Sequence, residues 1–183
     1  MVYEKYTKTT PGTEIVTVSE MKDYLKVDNP DENNLIQGLL DGWFVWLEGY
    51  CWSSFNETTW KLDLSEWYDP INVRRGPVKA VTSVTYYDNN NVQQTLASTE
   101  YSVLFDSTHA VIEVDSFPIL WDRPDAVTIN FTAENIDAIP AARLALMSLV
   151  GMQYLQREDF NPESPYISMA KRIVSSIRLN YFY

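Results

Sequence analysis

"INVRRGPVKAVTSVTYYDNNNVQQTL", Ile71–Leu96, decides how the chain is read. Ile71 to Arg75 is extended, and Gly76-Pro77 breaks it. Val78 to Asp88 is β-branched and aromatic, which suits a pleated, half-buried surface. Asn89-Asn90-Asn91 is a turn of residues that tolerate positive φ. "VQQTL" then returns, so the two runs make a hairpin. Nothing in the stretch is catalytic in type.

The alternating pattern extends on both sides. "TTWKLDLSEW" places Trp60, Leu62 and Leu64 on one face, and "EYSVLF", "AVIEV" and "AVTINFT" are further strands. Residues 57–132 therefore read as an antiparallel β-region. Outside it the period changes. Residues 1–16 are polar, with Thr, Pro and Gly, and read as an N-terminal arm. A helical segment covers 17–52. Thr17 with Glu20 three residues on fits a capping box ahead of Met21, Tyr24 and Leu25. After the break "DNPDEN", where Asp31 or a neighbour caps the next helix, Leu35, Ile36, Leu39, Leu40, Trp43, Phe44 and Leu47 recur at helical steps. Gly38 and Gly42 each cost about 1 kcal/mol against Ala in an exposed helix interior, and read as helix packing positions.

A second helical segment covers 139–179. Pro140 suits a first-turn position, and Ala141 to Leu155 is apolar on most sides, as a central buried helix is. Ser164 and Pro165 suit the cap and first turn of the last helix, with Ile167, Ala170, Ile173, Val174 and Ile177 on one side. Residues 180–183 are a tail. The expected fold class is thus α+β: a mainly helical body of about four helices with an inserted antiparallel β-region, in one domain spanning 1–183.

Composition narrows the function. Of 183 residues, 45% are hydrophobic and 21% charged, as in ordinary globular domains. Aromatics reach 14% and often stand in polar contexts, as side chains at protein interfaces do. The formal charge of −11 argues against gripping nucleic acid through its phosphates. Charge is uneven. Asp28, Asp31, Glu32, Asp41, Glu48 and Glu57 occur with no base between 28 and 57. Lys171, Arg172 and Arg178 occur with no acid between 164 and 183. Solvated faces account for both runs; so does electrostatic matching between neighbouring subunits.

The single cysteine, Cys51, excludes an internal disulfide and fits a reducing compartment. The opening "MVYEKYTKTTPGTE" has no apolar stretch, so no leader is expected. No unbroken run long enough for a membrane span occurs. The one histidine, His109, reads as a turn or strand residue. One His and one Cys build neither a nucleophilic triad nor a Cys/His metal site. "DNPDEN" lacks the Gly and terminal Glu of an EF-hand loop. No P-loop and no GxGxxG occur. No catalytic residue, metal ligand, cofactor or nucleic-acid-binding residue is therefore assigned. A carboxylate pair for glycoside hydrolysis is a spatial feature that sequence does not reveal.

Taken in order, the segments resemble the head–tail connector (adaptor) proteins of tailed phages. Tyr24 to Asp28 matches a short helix ending, and Glu48 to Tyr50 matches the acidic-aromatic end of a long helix. Arg74-Arg75-Gly76-Pro77-Val78, then Val81, Val84 and Tyr86-Tyr87-Asp88, match the strand–Gly-Pro–strand hallmark. "QTL" and "EYSV" continue it. Pro140, Tyr154, Arg157 and Glu158 match a closing helix. The resemblance spans residues 15–180. "TAENIDAIP" and "NNN" depart from the glycine-bearing turns of the family, and "NYFY" has no counterpart.

The resemblance implies a structural virion protein in the neck between capsid and tail, made in the host cytoplasm. It implies a closed ring of about twelve copies under the portal protein, in contact with the next neck or tail-completion protein, with DNA passing through unbound and no membrane. Arg74, Arg75, Lys171, Arg172, Arg178, Tyr181, Phe182 and Tyr183 are the expected interface residues. The alternatives are another neck component, a stopper or tail-completion protein; a carboxylate-dependent carbohydrate-active enzyme; and a DNA-packaging factor whose basic face lies in 164–183.

Overall fold

The computed structural model describes residues 2–10, 14–156 and 164–179. Arg157, Glu158, Tyr181, Phe182 and Tyr183 lie outside the described residues. The chain divides into two compact units. One holds residues 2–10 and 57–135; the other holds 14–56, 136–156 and 164–179.

The first unit is all β. Its strands are β1 (Glu4–Thr10), β2 (Thr58–Leu64), β3 (Ile71–Val73), β4 (Val78–Tyr87), β5 (Gln93–Thr95), β6 (Tyr101–Phe105), β7 (Ala110–Val114) and β8 (Val127–Ala133). They form an antiparallel sheet in the order β1-β2-β8-β4-β5 and a second in the order β3-β7-β6. The opening stretch thus serves both sheets. Ile71–Val73 pairs with β7, and after Gly76-Pro77 the chain enters the other sheet beside β8. Gly76 is required there, because a Cβ would run into the Thr108 carbonyl oxygen of the β6–β7 turn.

The β4–β5 hairpin forms as its sequence indicates, pairing Thr85 with Thr95 and Tyr87 with Gln93. Asp88 accepts from the backbone N–H groups of Asn90 (2.9 Å) and Val92 (3.0 Å), and Asn91 takes φ 59°. Trp60, Leu62 and Leu64 all point inward. Central β8 buries Val127, Ile129, Phe131 and Ala133, which join Ile71, Val73 and Ile112 of the second sheet in one core. Residues 4–10, within the stretch read as an arm, form edge strand β1.

The second unit contains α1 (Val18–Leu25), α2 (Asn33–Cys51), α3 (Ile139–Leu155) and α4 (Pro165–Ile173). Thr17 and Glu20 make the capping box, with Glu20 N–H donating to Thr17 Oγ1 (3.3 Å) and Thr17 N–H to Glu20 Oε2 (2.9 Å). Asn29 caps a short 3-10 turn, Pro30–Glu32, by accepting from Asp31 N–H. Ser164 caps α4 through Tyr166 N–H, with Pro165 in the first turn. Ile36, Leu40, Trp43, Leu47 and Cys51 of α2 pack with Ala142, Ala145, Leu146, Leu149 and Val150 of α3, and with Ile167, Ala170 and Val174. Residues 136–155 have the length and mean hydropathy (1.3) of a membrane span. Here α3 is the core helix, in contact with α1, α2 and α4.

The expectation of a mainly helical body is overturned. Among the described residues helix accounts for 35% and strand for 30%, with four helices and eight antiparallel strands in two sheets. The physical reason is the core. The strands bury their own apolar cluster between two sheets, so they are a unit in their own right rather than an insertion on a helical scaffold.

Candidate functional site

Side chains that do chemistry are not gathered into a centre among the described residues. Among the described residues, no group of three or more His, Cys, Asp or Glu is placed to hold a metal ion. His109 sits in the β6–β7 turn, with Nδ1 2.9 Å from Thr108 Oγ1 and 3.6 Å from Asp106 Oδ2. Cys51 is buried at the end of α2, where its carbonyl accepts from Leu179 N–H at 3.0 Å.

The shifted ionisable groups serve the framework. Arg143 donates to Glu20 Oε1 (2.8 Å) and to the Ile15 carbonyl, joining α3 to the start of α1. That guanidinium, together with the Thr17 donors, lowers the Glu20 carboxyl to about 2. Burial pushes the Tyr6 phenol up to about 12. Its oxygen accepts from Arg74 N–H (3.0 Å). Burial and a hydrogen bond to Glu4 raise Tyr68. Arg123 forks onto Asp125 (2.6 and 2.8 Å), holds that carboxyl below its usual range and lies over the Tyr87 ring.

The expected interface residues fall into both units. Arg74 and Arg75 are half-buried in the β unit. Arg75 lies over the Trp60 ring at 4.5 Å, a cation–π contact. Lys171, Arg172 and Arg178 are exposed in the helical unit. Lys171 and Arg178 lie over the Tyr50 ring of α2, at 5.7 and 4.6 Å. Tyr50 in turn stacks on Trp46, with ring centroids 5.4 Å apart. Only Arg172 of the three points to the side of α4 opposite buried Ile167, Ala170 and Val174.

An exposed, uncharged seam runs along α2. Leu35, Gly38, Gly42, Val45, Gly49 and Trp52 alternate three- and four-residue steps, the spacing of one helix seam, and all are exposed. A Cβ added at Gly38, Gly42 or Gly49 would meet nothing within 4 Å. The expectation that Gly38 and Gly42 serve packing inside the unit is therefore not met. Beside the seam lies a groove of about 320 Å³, lined by Gly38, Leu39, Gly42, Trp43, Trp46 and Gln153. Trp43 Nε1–H donates to Gln153 Oε1 on its wall (2.6 Å). Sequence reasoning missed this surface because it assigned Leu35 to the core face; the recurring glycines were the available signal. The β unit has its own exposed cluster, Phe117, Ile119 and Trp121, in the β7–β8 loop.

No protein-family model and no curated protein matches the chain. Solved structures do. A chain in the neck of an empty gene transfer agent (GTA) particle, computed with C6 symmetry, superposes with a TM-score of 0.77 at 19% identity, over 98% of this chain and 97% of that one. A chain in the virion of the native GTA particle gives 0.73 at 22%, over 97% of both. One in the neck of the native particle, computed with C12 symmetry, gives 0.71 at 21%, over 98% and 97%. The likeness is one of fold. It extends through both units, because nearly all of each chain is covered.

Proposed function

We propose that this chain is a structural neck protein of a tailed, phage-like particle. In this reading it forms a closed ring that joins the portal of the capsid to the tail and lets DNA pass. The observation that carries the reading is the end-to-end match of both units to chains of particle necks. It agrees in kind with the family that the motif order resembles. Those necks were computed with C6 and C12 symmetry, and a ring of about twelve copies satisfies either.

The adaptor position, directly beneath the portal, is the finer part of the proposal. The order of the hallmarks from Tyr24 through Tyr154 supports it over a stopper, which is a smaller and mostly β component. A conduit for DNA works best when its wall does not hold phosphates. The net charge of −11 suits that role, since each phosphate contact adds drag. No enzymatic step is required of it.

Native mass spectrometry of the chain, alone and mixed with its portal protein, tests the reading. The expected result is monomer or weak oligomer alone and a ring on the portal. A permanent dimer under both conditions overturns it.

A further inference from the structure

We infer that the exposed seam of α2 is the seat of a second copy of this chain, and that it receives the outward face of α4 from the next subunit. The inference rests on the ring reading and names its contact. The seam Leu35, Gly38, Gly42, Val45, Gly49, Trp52 carries no charge and holds the spacing of a helix–helix contact for the length of α2. Among the described residues a Cβ at any of its glycines would meet nothing within 4 Å, and none has positive φ. They are neither turn residues nor internal packing positions. What they leave is a low surface on which another helix backbone comes close, edged by exposed Val45 and Trp52.

Charge and packing together identify the occupant. From 28 to 57 the chain has acids and no base, and Asp41 is exposed at the margin of the seam. The partner face must therefore be basic or neutral, and free of acids. Of the described helices α3 and α4 both meet this; α3 is packed against α1, α2 and α4, which leaves α4 as the one with an outward face to offer. Its outward side presents Ser168, Met169 and Arg172, with Tyr166 alongside, and no acid occurs from 164 to 179. Ser168 on that side permits the close approach that the glycines permit on the other. Met169 and Tyr166 supply the apolar area, and the tryptophan-walled groove at Gly42 takes one of them. Arg172 then opposes Asp41. The two faces differ, so the contact is heterologous, the kind that generates rings.

The test uses the full chain with its portal. Gly42→Leu fills the seam where a Cβ has open space, so the free variant should keep or raise its thermal midpoint and lose self-assembly at least tenfold. Arg172→Glu should do the same, and adding Asp41→Lys should restore assembly. Gly42→Cys mixed with Met169→Cys should give an oxidised cross-link between copies, at least tenfold above either variant alone. If the wild-type ring forms and folded Gly42→Leu assembles equally well without the cross-link, this contact is wrong and the ring reading stands. If Gly42→Leu still self-assembles but fails on the portal, the seam belongs to the portal and the inference is overturned. If the wild-type chain forms no ring alone or on the portal, both fail.

Discussion

Gly76 and Gly42 are the same residue put to opposite uses. At Gly76 an added methyl meets the Thr108 carbonyl, so Gly76→Ala should lower stability by about 1–3 kcal/mol, as overpacking does. At Gly42 it meets open space, and Gly42→Ala should raise the stability of the free chain by up to about 1 kcal/mol. Urea midpoints of the two variants check both signs. Glu20 gives a pH signature. Its carboxyl is lowered from 4.5 to about 2 by Arg143 and Thr17. Its contribution is therefore fully present above about 4.5 and disappears as pH falls through about 2. Glu20→Gln should lower stability near neutrality and flatten the profile across that window, where the wild-type chain loses the contribution. An unaltered slope shows that the tie between α1 and α3 is idle. The caps at Thr17 and Ser164 were legible because each is a local rule between residues two or three apart. The Gly76–Thr108 approach was not, because it joins turns distant in sequence.

At the scale of elements, strands and helices were legible where their apolar residues repeat. The β4–β5 hairpin follows from its turn residues, and β2 from Trp60, Leu62 and Leu64. Which sheet a strand joins was not legible, since β3 and β4 carry similar residues yet pair with different partners. Edge strand β1 left little trace because, as Glu-Lys-Tyr-Thr-Lys-Thr-Thr, it buries no residue fully. The β unit is closed at the ends of two neighbouring strands. Lys79 of β4 bonds Glu57, just before β2, and Glu134, just after β8 (2.8 Å). Those acids, Glu134 first, raise the lysine above its usual range. The chain crosses to the helical unit beyond both. Lys79→Met should speed amide exchange at Thr58 and Ala133 and leave Ile129 of central β8 protected. Uniform change, or none, contradicts a local clamp. Ile129→Ala should instead cost about 2–5 kcal/mol, because Ile129 is fully buried between both neighbours.

For the whole molecule, the balance of helix and strand was misread because the β region was treated as an addition to the helices. Composition does not reveal that the strands close a core of their own; only the pairing of two sheets does. The candidate site was legible in part. Arg172 stands exposed on the outer side of α4, whereas Arg75 is occupied by Trp60, and the α2 seam became visible only when Leu35 was found outside the core. Overall charge carries a further expectation. With a net charge of −11, duplex DNA should not bind at physiological salt, and a gel-shift affinity tighter than about micromolar contradicts the conduit reading. The most direct measurement is cryo-electron microscopy of the portal with this chain added. The expected result is a closed ring of this two-unit fold on the tail side of the portal, with the α2 seam of each copy covered by the next. A bare portal, or isolated copies bound without touching one another, contradicts the account.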